Sequence, residues 1–126
     1  MMADGLATVR HIHETWAWVV VIGNALAGLW ALAANWLPLF RRRALWWFIG
    51  AAQIAVVVQA FLGAIMVGKY KVPLPQFHAF YGFFAIITIA IIYSYRFQMK
   101  HRLYLLYGLG SLFVMGLAIR AMVLRS

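Results

Sequence analysis

The chain has 126 residues and a mean hydropathy of +0.89, with 67% hydrophobic and 10% charged residues, so polar side chains are too few to cover a water-soluble globule of this size. Eleven Lys and Arg stand against two acids, Asp4 and Glu14, for a formal charge of +9, and cysteine is absent. These counts exclude a soluble enzyme, a paired-carboxylate catalytic site, a cysteine-based zinc or iron–sulfur centre and a disulfide.

Four apolar helices of roughly 22 residues would each cross a hydrocarbon layer of about 30 Å and use most of the chain, leaving no room for a domain outside the membrane. The first apolar run extends from Thr15 to Leu37 and stops at Pro38, which cannot continue a helix without losing a hydrogen bond; with its polar lead-in the first helix is expected over about 8–37. Its apolar run, about 23 residues, is too long for the core of a signal peptide, and Asp4 and Glu14 precede it. After the basic turn Arg41-Arg42-Arg43 a second helix is expected over 44–68, closed by the segment Lys69 to Pro75. A third is expected over 75–96, with Pro75 suited to a first helical turn, and a fourth over 101–124 after the polar stretch Arg96 to Arg102. Short connections make sequential helices antiparallel neighbours. The expected fold is therefore all-α: an integral membrane up-down-up-down four-helix bundle in one domain spanning 1–126.

The positive charge sits in the connections and near the chain ends, where it favours anionic lipid headgroups as partner and argues against nucleic acid. Arg41, Arg42, Arg43, Arg96, Lys100 and Arg102 fall on one surface; Arg10, Lys69, Lys71, Arg120 and Arg125 fall on the other. The first set is concentrated in two tight loops, which places it inside, in a cell membrane of the bacterial inner-membrane kind, with the termini and the Lys69–Pro75 loop outside.

Polar residues that enter a span carry the functional signal. His13, Asn24 and Asn35 are spaced by eleven residues, and eleven steps return to within about 20° of the start, so they share one face with the small residues Ala17, Ala27, Gly28 and Ala31. His78 shares a face with Gly82, Ala85, Ile89 and Ile92. Both histidines are expected to point inward near one membrane surface, where the ends of helices two and four bring Met66 and Met122. Met122 also lies on a stripe with Tyr104, Ser111 and Met115. Each half of the chain reads as an inward His, an aromatic three residues on (Trp16, Tyr81), a basic loop, and a helix with a Met near its far end. That pattern is compatible with a duplicated helical hairpin and equally with chance convergence.

Imidazoles on facing helices of a bundle are suited to ligate haem iron without cysteine or carboxylate. On this reading His13 and His78 are axial ligands of a b-type haem between helices one and three. Trp16, Tyr81 and Gly82 shape an apolar slot, and Arg10, Lys69, Lys71 or Arg120 pair with the propionates. The architecture is similar to that of small four-helix b-type cytochromes of respiratory chains, which would imply electron transfer. Three other readings stay open. Both histidines can be ordinary interfacial residues with no cofactor. A Cu(I) ion suits His13, His78, Met66 and Met122, and a quinone or pigment suits an aromatic groove. The bundle can also be an accessory subunit with no catalytic role, packing against a larger membrane complex or forming a homo-oligomer.

The remaining polar groups point elsewhere. His11 lies about 160° from His13 and is expected to be solvated, while His101 falls among headgroups at the opposite surface. Asn24, Asn35, Gln53 and Gln59 suit hydrogen bonds between helices, and no mid-membrane acid or base supports ion-coupled transport.

Overall fold

The computed structural model describes residues 2–124, so Arg125, counted above with the second surface, lies outside the described residues. Among those residues every regular element is helical: α1 spans Met2–Trp36, α2 Arg43–Gly68, α3 Gln76–Ser94 and α4 Leu103–Val123. Short 3₁₀ turns at Pro38–Phe40 and Lys100–Arg102 lead into α2 and α4. All four helices are long and apolar enough to cross a membrane.

Three of the four helices lie close to their expected positions. α1 begins six residues earlier than about 8. Asp4 occupies its first turn, at the positive end of the helix dipole, and the Thr8 hydroxyl donates to the Asp4 carbonyl at 2.9 Å. At 35 residues α1 is about 52 Å long, well beyond the roughly 30 Å apolar core of a bilayer. α3 ends at Ser94 rather than 96 because the chain turns there, and α4 starts only after the Lys100–Arg102 turn.

α1 is the central element. It packs extensively on α2 and α4, α3 packs on α4, and α2 and α3 touch only sparingly. Bonds from side chains to backbone join the neighbouring helices. Trp16 meets Ala55 and Asn24 meets Ala52 across α1 and α2, while His78 meets Ala121 across α3 and α4. The inward face of α1 is the one expected: Ala17, Ala27, Gly28 and Ala31 are buried, Asn24 is fully buried, and His13 and Asn35 are half-buried. Asn24 Nδ2 donates to the Val20 carbonyl at 2.9 Å and to that of Ala52 at 3.4 Å, so its amide links α1 to α2.

Small residues allow the closest approach. A Cβ added to Gly28 would sit 2.7 Å from Leu112 Cγ and 3.0 Å from the Gly108 carbonyl oxygen; one added to Gly108 would sit 2.9 Å from Leu32 Cγ and 3.0 Å from the Leu32 backbone nitrogen. α1 and α4 therefore meet backbone to backbone, the arrangement by which apolar helices gain dispersion contacts where lipid supplies no hydrophobic driving force. Two core clusters flank this contact. One joins all four helices through Val20, Ala55, Val56, Ala85, Val114 and Leu117, with Trp16 and Tyr81 against it. The other sits nearer the basic end, where Ala27, Ala31, Ala34, Leu45, Ile49 and Ala52 pack under Trp30, Trp46 and Tyr104. Large side chains such as Trp18, Ile54, Phe61, Phe83 and Phe113 face outward, as a lipid-facing surface requires.

α3 departs from its expected face in one respect. Ala85, Thr88 and Ile92 are its buried stripe, and Ile89 is half-buried. Gly82 lies at the edge of that stripe, exposed, with open space where a Cβ would stand, so it does not border the interior with His78.

Candidate ligand site at the paired histidines

The imidazoles of His13 on α1 and His78 on α3 come together, with ring centroids 6.1 Å apart and ring planes at 72°. Each sits one helical turn before an aromatic residue, Trp16 or Tyr81, and both aromatics pack against the core cluster that joins the four helices. The pair thus stands at the end of the core, above a rigid aromatic floor.

The neighbouring helices fix each ring's surroundings. His78 Nδ1 lies 2.6 Å from the carbonyl oxygen of Ala121 on α4. A carbonyl can only accept, so Nδ1 carries a proton, and in the neutral ring Nε2 is then the nitrogen with the lone pair. Metal-ligating histidines are commonly oriented by such a bond from the other ring nitrogen. On the opposite side, Gln59 Nε2 of α2 donates to the His13 backbone carbonyl at 2.8 Å, and Trp16 Nε1 donates to the Ala55 carbonyl at 2.8 Å. Gly63, one turn after Gln59, leaves room for the ring: a Cβ there would stand 3.4 Å from His13 Cε1. His13 Nδ1 is buried without a hydrogen-bond partner. An unpartnered ring nitrogen in an apolar surrounding is costly and calls for a ligand or donor to complete it.

The spacing bears directly on which ligand suits the pair. The rings meet edge to face at 6.1 Å, near enough that His13 and His78 would both hold a metal centre placed between α1 and α3. Among the described residues no group of three or more His, Cys, Asp and Glu converges, so a closed cage of such ligands does not form there. The sparse contact between α2 and α3 leaves that flank of the bundle least closed, whereas α1 is tightly joined to both α2 and α4.

The other residues singled out by the sequence are placed as follows. Met66 and Met122 are half-buried near the ends of α2 and α4, and Met122 follows the alanine whose carbonyl holds His78. All four expected basic side chains, Arg10, Lys69, Lys71 and Arg120, are exposed, and Arg120 lies 5.9 Å from the Tyr81 ring centre. Gly82 is exposed, with open space at its Cβ position. His11 is exposed on the far side of α1, as its spacing requires, and His101 is exposed in the basic turn before α4. Sequence reasoning did not connect Gln59, Gly63 and the Ala121 carbonyl to the histidines. For the first two a signal exists: Gln59 and Gly63 are four apart and share a helix face with Met66, which aims an amide and a gap at one neighbour.

No protein-family model matches the chain, and neither a curated protein nor a solved structure is similar to it.

Proposed function

We propose that this protein is an up-down-up-down membrane bundle that binds one b-type haem between α1 and α3 through His13 and His78, and serves electron transfer in a respiratory membrane. The observation that carries the reading is the meeting of the two imidazoles at 6.1 Å, with His78 Nδ1 tied back to Ala121. When bound, the haem would supply a one-electron redox centre. The chain's own contribution is to present His78 Nε2 with its lone pair free, to hold the first half of α1 against α2 through Gln59 and Trp16, and to line the approach with aromatic and aliphatic groups. Arg120 beside Tyr81 is the basic group best positioned for a propionate.

Along α1 and α2, His13 meets Gln59, Trp16 meets Ala55 and Asn24 meets Ala52, so partners descend on α2 as α1 advances, which supports the up-down arrangement. Concentration of Arg41, Arg42, Arg43, Arg96, Lys100 and Arg102 in two connections supports an inward placement of that end, in a bacterial inner membrane, with the histidine end outward.

The test is titration of the detergent-purified protein with haemin. A Soret band that saturates at one haem per chain is expected. Absence of a saturable band overturns the proposal. Stoichiometric copper uptake without a Soret band overturns it in favour of the Cu(I) set with Met66 and Met122, and co-purification with a larger complex while colourless overturns it in favour of an accessory subunit.

A further inference from the structure

At the end of the bundle opposite the histidines, the end of α1, the start of α2 and the turn into α4 border a half-open pocket of about 440 Å³ whose lining includes Asn35, Arg41, Trp46, Lys100, His101 and Tyr104. Its central cation is held in place. Arg41 Nε donates to the Ala34 carbonyl at 2.6 Å and its Nη2 donates to the Asn35 carbonyl at 2.9 Å, so the guanidinium caps the end of α1. The same guanidinium lies 5.3 Å from the centre of the Tyr104 ring, which in turn stacks on Trp46 at 5.3 Å. Two of its five N–H donors are used in this way, and three remain.

Lys100 and His101 approach from the 3₁₀ turn before α4 and add an ammonium and an imidazole to the same pocket. Nothing acidic in the sequence is near enough to balance them. The two carboxylate side chains of the chain are Asp4 and Glu14, and Glu14 is 21 residues, roughly 30 Å, from Asn35 along α1. Arg41, Lys100 and His101 are all exposed at this surface, so the three donors are open to the headgroup layer, and a pre-positioned guanidinium is well suited to a phosphate oxygen.

We infer that this pocket binds the phosphodiester headgroup of an anionic phospholipid, with Arg41, Lys100 and His101 as donors to the phosphate and Trp46 and Tyr104 beside the glycerol. The inference rests on the membrane-spanning reading and is independent of the haem. A lipid rather than free phosphate is favoured because the site lies where apolar helices give way to basic connections, the depth of a headgroup, and because Trp46, Leu103 and Tyr104 give its lining an apolar part beside the cations.

The experiment incubates the detergent-solubilised protein with mixed micelles of equal dioleoylphosphatidylglycerol and dioleoylphosphatidylcholine, and counts retained lipid by native mass spectrometry. One phosphatidylglycerol per chain is expected, in preference to phosphatidylcholine. Lys100→Gln combined with His101→Gln, which leaves the Arg41 cap of α1 intact, is expected to lower retention about fivefold or more. Arg43→Gln, outside the pocket, should leave it unchanged. Equal retention of both lipids, or retention unaltered in the double variant, overturns the inference. Release of nothing but inorganic phosphate on denaturation, with no lipid retained, overturns the lipid as occupant. A chain that stays in solution without detergent would instead overturn the membrane reading itself, and the Soret titration reports separately on the haem.

Discussion

On the haem proposal, His13→Ala and His78→Ala will each lower haem affinity by more than about 100-fold, because loss of even an outer partner of a ligating imidazole typically costs about 10- to 100-fold, and these substitutions remove the proposed ligand itself. Haemin titration of each purified variant, followed at the Soret band, measures the effect. His11→Ala is the matched control, since His11 is exposed two residues away on the far side of α1 and its removal should leave affinity unchanged. Gly63→Leu probes the site without touching a ligand. The side chain would occupy the space beside His13 Cε1, now bounded at 3.4 Å from the Gly63 Cβ position, and displace the ring. It should weaken haem binding while α1 and α4 stay packed. Equal affinity in wild type and both alanine variants would mean that haem associates elsewhere on the apolar surface.

The second large effect belongs to the fold. Gly108→Leu will lower the thermal midpoint in detergent by about 5 °C or more, the consequence of overpacking that costs about 1–3 kcal/mol in a close-packed interior. The backbone nitrogen of Leu32 lies 3.0 Å from the Cβ position and cannot rotate away as a side chain can, so α1 and α4 must separate. Gly28→Leu should act alike, since the Gly108 carbonyl faces it at 3.0 Å. Gly116→Ala provides the contrast: it is on the same helix, exposed, with nothing within 4 Å of the added methyl, and should leave the midpoint unchanged or raise it. Circular dichroism melts of the set separate close approach from helix propensity. If Gly108→Leu melts with wild type, the backbone-to-backbone contact of α1 and α4 is not what holds the bundle.

The four helices were legible because each is an apolar run as long as a bilayer is thick, ended by proline or by arginines. The inward face of α1 was legible too, since the eleven-residue spacing of His13, Asn24 and Asn35 coincides with a row of alanine and glycine. The early start of α1 was not, because its first turns are polar and are held by local bonds such as Thr8 to Asp4 rather than by a hydrophobic pattern. Gly82 illustrates a different limit. Its angular distance from His78 is small, but which side of that stripe is covered depends on α3 packing on α4 and barely on α2, a tertiary choice that periodicity does not contain. The convergence of His13 and His78 was legible from the inward face expected for each and their places near the starts of α1 and α3. What holds His78 did not follow, for its partner is the Ala121 carbonyl, and every residue carries a carbonyl. The same applies to Arg41: its charge was visible, whereas its capping of Ala34 and Asn35 depends on a turn geometry that Pro38 begins.

The central claim is that both imidazoles converge on one iron, and electron paramagnetic resonance of the ferric protein tests it most directly. Wild type loaded with one haem should give a low-spin, six-coordinate signal, and the His13→Ala and His78→Ala variants, loaded with excess haem, should each give a high-spin one. A high-spin signal from wild type, or a low-spin signal unchanged in either variant, would contradict the pairing of His13 with His78.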